Sequence, residues 1–127
     1  MTVSTHVLDA VRGVPAAGVA VILAVGTGSL GDGPPTPAGH DPVPAGHDPA
    51  PWLAAESGVT DADGRYRFRV DTPAGTYRLT FATGPYFAAQ AVDAFYPEVA
   101  VTFTDGDGHL HVPLLLSPFA YSTYRGS

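Results

Sequence analysis

Cysteine and lysine are both absent from this 127-residue chain. The first absence excludes disulfides, thiolate nucleophiles and cysteine-ligated zinc, and it leaves the compartment open. The second leaves Arg12, Arg65, Arg67, Arg69, Arg78 and Arg125 as the only permanent cations, set against twelve acids for a net charge of −6. Nucleic acid requires a basic footprint, so no nucleic-acid partner is expected. No apolar run approaches the ~20 residues of a membrane-spanning helix. The opening MTVSTHVLDAV has neither the basic nor the apolar region of a signal peptide. No membrane partner is expected, and a cytoplasmic location is the default.

What is present is 45% hydrophobic, enough for one folded domain over residues 1–127 with a real core. The chain divides into short β-branched and aromatic runs separated by Gly, Pro and Asp turns, which predicts strands at 5–11, 19–25, 53–59, 65–70, 76–83, 98–104, 109–116 and 120–124. Gly64 is available for positive φ in the tight connection that starts at Thr60. Residues 85–92 predict the only helix. Eight strands and one short helix point to an all-β, two-sheet antiparallel sandwich.

One segment breaks the rhythm. Residues 26–51 are rich in Gly and Pro and contain AGHDPVP followed at once by AGHDPAP. Proline blocks strand pairing and little here can be buried, so the segment reads as a loop insertion. His40, Asp41, His47 and Asp48 could be read as metal ligands, but nothing in such a loop imposes the geometry a metal site needs. No metal is assigned.

Alternation identifies the chemistry-bearing positions. In the run from His109 to Leu114, Leu110, Val112 and Leu114 share one face, and His109, His111 and Pro113 share the other. The same parity sets His6 opposite Val7, and it groups Tyr124 with Ser122. His6, His111 and Tyr124 therefore fall on the outer face of a sheet. Each alone reads as an ordinary exposed polar residue.

The segments STHVLDAVRGVPAAGVAV, GVTDADGRYRF, AGTYRLTF, FYPEVAVTF and HVPLLLSPFAYSTYRGS, taken in order, resemble the 5-hydroxyisourate hydrolases, the transthyretin-related enzymes of urate breakdown. The turn segments recur in many β modules; the Ser-Thr-His-Val-Leu-Asp and Tyr-Arg-Gly-Ser ends are the specific ones. The resemblance covers the chain apart from the 26–51 insertion. It implies a transthyretin-like sandwich in which one sheet has the order D-A-G-H, with Arg65 on D, His6 on A, His111 on G and Tyr124 on H. It further implies a homotetramer, a dimer of dimers, whose sites lie in a channel between the dimers.

The activity implied is opening of the cyclic amide ring of 5-hydroxyisourate to 2-oxo-4-hydroxy-4-carboxy-5-ureidoimidazoline, with no metal or organic cofactor. His6, Arg65, His111 and Ser127 are the expected catalytic residues, and His6, Arg65, Tyr124 and Arg125 the expected substrate contacts. His111 takes the proton from water with help from His6, and Arg65 steadies the oxyanion. Arg125 either touches substrate or pairs with an acid across the interface. His109 is expected to be solvated, Arg67, Arg69 and Arg78 to form an exposed face, and Asp9 to orient a neighbour or a strand end. The competing reading is a carrier of the transthyretin type. That relative lacks histidine at positions 6 and 111 and continues past the Tyr-Arg-Gly-Ser ending.

Overall fold

The structure is a computed structural model that describes residues 2–26, 52–106 and 108–126. Their order is β1 (Thr2–Asp9), β2 (Val14–Pro15), β3 (Ala20–Gly26), β4 (Trp52–Val59), β5 (Arg65–Arg67), β6 (Gly75–Phe81), α1 (Thr83–Ala88), β7 (Val99–Asp105), β8 (His109–Leu116) and β9 (Tyr121–Thr123). The strands form two sheets, one ordered β2-β1-β8-β9 with β5 also on β1, the other β4-β3-β6-β7. The expected two-sheet sandwich is therefore present. Its pairings are antiparallel except one: β1 runs parallel to β8, from Thr2↔His109 to Asp9↔Leu116. The expected D-A-G-H order made these strands neighbours, but alternating apolar residues carry no information on strand direction, so the parallel sense departs from the all-antiparallel expectation.

The core follows from that alternation. In β1 the buried residues are Val3, Thr5, Val7 and Asp9; in β8 they include Leu110, Val112, Leu114 and Leu116. They face Val21, Leu23, Leu79, Phe81 and Val99 of the second sheet, with Phe68 and Phe87 completing one cluster. The outward side chains of β1 and β8 are free to carry function because the inward set supplies the packing.

Several boundaries move. Gly26 pairs with Trp52, so the first residue of the expected insertion belongs to β3; the rest of it, with the four candidate ligands His40, Asp41, His47 and Asp48, lies outside the described residues. The helix spans Thr83–Ala88 rather than 85–92. β5 is only three residues long, and Val14–Pro15 forms a short strand that the sequence did not announce. Pro113, expected outside, is buried; Thr123 Oγ1 of the neighbouring β9 donates to its carbonyl at 2.7 Å. Arg78 is half-buried rather than fully exposed, with its guanidinium 4.3 Å from the Trp52 ring centre.

Asp9 anchors a strand end. Its Oδ1 accepts from the Val11 and Arg12 amides, and its Oδ2 accepts from the Tyr86 hydroxyl at 2.8 Å. A carboxylate only 1% exposed thus has partners from its own turn and from α1, as buried charge requires. This resolves the choice left open for Asp9 in favour of tying α1 to the end of β1.

Candidate active site

Register across the first sheet arranges its outward side chains in rows. Arg65, His6 and Pro113 form one row across β5, β1 and β8. Arg67, Ser4, His111 and Gly126 form the next, the last through an isolated bridge. Thr2 and His109 begin a third. Counting between the Leu114↔Thr123 pair and the His111↔Gly126 bridge puts Tyr124 opposite Pro113. Two residues per repeat along a strand keep all of these on one face.

A cleft of about 300 Å³ opens on this face, lined by Ser4, Thr5, Asp61, Arg65, Tyr66, Arg67 and His111. A larger groove of about 450 Å³ lies beside α1, but Ala17, Ala20, Ala82 and Ala89 dominate its wall and it carries no charged side chain. Chemistry needs the convergent polar groups of the smaller cleft.

Each wall of that cleft is fixed locally. The turn before β5 is an Asx turn: Asp61 Oδ1 accepts from the amides of Asp63 at 2.8 Å and Arg65 at 3.0 Å. These two bonds hold the Asp61 carboxyl below its usual range. Gly64 closes the turn at φ +75°, and a Cβ there would stand 2.4 Å from the Val7 carbonyl. Only glycine lets the turn lie this close to β1, where the Val7 amide donates to the Gly64 carbonyl at 2.7 Å. Arg65 is thereby delivered beside His6. On the far side of β5, the Tyr66 hydroxyl donates to Glu56 Oε2 at 2.6 Å, and Glu56 Oε1 accepts from the Arg69 and Val70 amides.

His111 is half-buried. Its Nδ1 lies 2.8 Å from Ser4 Oγ, and the same oxygen lies 2.9 Å from His109 Nε2. His109 Nδ1 in turn is 2.5 Å from Thr2 Oγ1. Burial, reinforced by the neighbouring charges of His6, His109 and Arg65, pushes the His111 pKa below the ordinary 6.5, against the opposing pull of Ser4. A histidine held neutral near pH 7, with Nδ1 already engaged, keeps Nε2 for a proton from a reacting group. The Gly126 amide donates to the His111 carbonyl at 2.8 Å. A Cβ on Gly126 would meet the imidazole Cδ2 at 2.7 Å.

The structure thus brings His6, Arg65 and His111 onto one face. Tyr124 and Arg125 are exposed and do not line the cleft of the single chain, while Ser127 lies outside the described residues. His109 is exposed as expected, yet bonded on both ring nitrogens. Ser4, Asp61 and Gly126 were not singled out from the sequence. Ser4 shares parity with His6 and was open to discovery by that rule alone; Asp61 and Gly126 gain meaning only from contacts.

The chain from residue 3 to residue 126 matches the family model described as HIUase/Transthyretin family. It is 41% identical to the 5-hydroxyisourate hydrolase of Caulobacter vibrioides, over 98% of this chain and 96% of the relative. The solved structure of the Klebsiella pneumoniae 5-hydroxyisourate hydrolase superposes with a TM-score of 0.76 at 34% identity, covering both chains completely at 100%. Transthyretin from Sparus aurata gives a TM-score of 0.78 at 30% identity, over 98% of this chain and 95% of that one. Two sheets, their strand order and a nearly end-to-end sequence match agree: this chain is a member of the HIUase/Transthyretin family.

Proposed function

We propose that this protein hydrolyses the cyclic amide of 5-hydroxyisourate, and that the cleft on the β5-β1-β8 face is where it does so. The observation that carries the reading is that Arg65 and His111 line one polar cleft, with His6 paired to Arg65 on the same face and burial lowering the His111 pKa. Hydrolase and transthyretin relatives superpose equally well on the backbone, so the fold does not choose between catalyst and carrier. A base beside a guanidinium favours the catalyst.

Water attacks the ring carbonyl while His111 Nε2 takes its proton. A positioned general base of this kind supplies ~10²–10⁴-fold. Negative charge gathers on the carbonyl oxygen, where the Arg65 fork stabilises it; one such donor is worth about 3–4 kcal/mol. His6, in the row beside Arg65, helps to bind substrate and supports the proton step. Tyr124, Arg125 and Ser127 complete the site from the C-terminal segment. We place the site at the junction of two dimers in a homotetramer, where a cleft open in one chain is closed by another, and the protein in the cytoplasm. Among the described residues no helix is long and apolar enough to cross a membrane.

The test is to generate 5-hydroxyisourate in situ with urate oxidase and follow its absorbance. Decay much faster than the spontaneous background is expected; decay at the background rate removes the enzyme. Light scattering on the same sample should give four chains, and a monomer would remove the shared site.

A further inference from the structure

Ser4 stands where no polar bystander would be so placed: its single hydroxyl lies within hydrogen-bond distance of two imidazoles at once. A hydroxyl carries one proton, so it can donate to only one of them, and when it does it accepts from the other. Two head-to-tail orders run along Thr2–His109–Ser4–His111. In one, His111 Nδ1–H donates to Ser4, Ser4 donates to His109 Nε2, and His109 Nδ1–H donates to Thr2. His111 Nε2 is then an open lone pair, the form a base needs. In the other, every donor reverses and His111 Nε2 carries a proton, the form an acid needs.

We propose that Ser4 and His109 are positioning residues that form a proton relay behind His111, switching it between base and acid within one turnover. This rests on the hydrolase reading of the same cleft. Water gives a proton to His111 Nε2 as its oxygen bonds to the carbonyl carbon. The Nδ1 proton passes to Ser4 Oγ, and the Ser4 proton passes to His109 Nε2. The positive charge now sits on His109, which is exposed and hydrated. His111 is neutral and bears a proton on Nε2. When the carbon–nitrogen bond breaks, that proton goes to the departing nitrogen, and the His109 proton returns through Ser4 to Nδ1. Every proton is accounted for, and the net change is addition of one water.

The surroundings suit a relay better than a fixed charge on His111. His6 from β1 and Arg65 and Arg67 from β5 put positive or protonatable side chains on this face. Asp61 lines the cleft but is committed to the turn before β5, and Tyr66 to Glu56. Moving the proton outward to His109 relieves a charge that the cleft disfavours.

Three measurements test this, with wild-type turnover as the control for the hydrolase reading itself. Nitrogen-15 NMR of the resting protein should show both His109 and His111 protonated at Nδ1; the Nε2–H form of His111 would overturn the relay whatever the substrate. Ser4→Ala should lower kcat about tenfold or more, within the range a general base supplies, with KM little changed, and Ser4→Thr should restore most of it. His109→Gln keeps an acceptor for Ser4 but cannot take the proton, and it should lower kcat likewise. A His109→Gln enzyme with wild-type kcat and pH profile would overturn the relay while leaving the hydrolase intact. If wild type itself does not accelerate decay, the hydrolase reading fails instead.

Discussion

His111 is set by two neighbours and by its burial: Ser4 holds a ring nitrogen, Gly126 lies against the ring, and burial lowers its pKa. Its pH consequence has a definite sign. A histidine with a lowered folded pKa binds fewer protons folded than unfolded below pH 6.5. Its neutral form therefore favours folding above that value, and stability is lost as pH falls through the window beneath it. The acid limb of kcat should accordingly lie below pH 6.5, read from a pH–rate profile, and His111→Ala should remove that limb together with most of the turnover. His6→Ala and Arg65→Ala should also cut turnover by orders of magnitude while melting near wild type, since neither side chain is in the core. A Gly126→Ala variant needs its new methyl where the imidazole already is, 2.7 Å from Cδ2. Displacing a reacting group by such amounts costs as much as about 10²-fold, so we expect a large fall in kcat with a small change in melting temperature. An unchanged kcat would show that the ring tolerates the shift. At this scale the outward parity of His6 and His111 was readable from alternation. Gly126 was not, because a glycine pressed on a ring looks in sequence like any other glycine.

Among the elements, β5 is one of the short strands, with three residues. Three residues cannot hold themselves on a sheet edge, and two devices outside the strand do it: the Asx turn before it and the Glu56 latch after it. Glu56 belongs to β4 of the opposite sheet, so the position of Arg65 and Arg67 depends on the sandwich being closed. Burial works against its charge, but hydrogen bonds from Tyr66, Val70 and Arg69 outweigh it and hold the carboxyl below the usual glutamate range. Glu56→Ala leaves two amides and a phenol without their acceptor. Roughly 1–3 kcal/mol of stability should go, and KM should rise more than kcat falls, as thermal melts and steady-state kinetics would show. Strand content was legible here, since Tyr66 and Phe68 alternate with arginines. The latch was not, because its partners lie 10 to 14 residues apart across a turn of unknown direction.

For the whole molecule, the sandwich was legible from its turn spacing and the family from the two specific ends of the chain. The resemblance made β1 and β8 neighbours, but their parallel direction and the tying of α1 to Asp9 were not legible, because apolar alternation is the same in either direction and a side-chain tie depends on which distant segments meet. The insertion was recognisable by composition alone, and the structure adds that its flanks, Gly26 and Trp52, are cross-strand partners. A short hairpin turn can therefore join them in place of residues 27–51. Loop closure changes by only about 0.6 kcal/mol per doubling of length, so such a variant should fold and keep its activity; a folded variant with none would give the segment a role in the site. The parallel pairing has a consequence for how this protein acquires its shape. Ser4 and His111 lie 107 residues apart in sequence, and β1 forms its longest ladder with β8. The largest loop in the molecule must close before that ladder can begin, and such distant pairings make folding slow. During synthesis β1 can pair with β5 first, but its long parallel edge stays open until β8 follows. The cleft is thus among the last features to form, and hydrolysis of substrate during refolding should lag behind the recovery of β4-β3-β6-β7 structure.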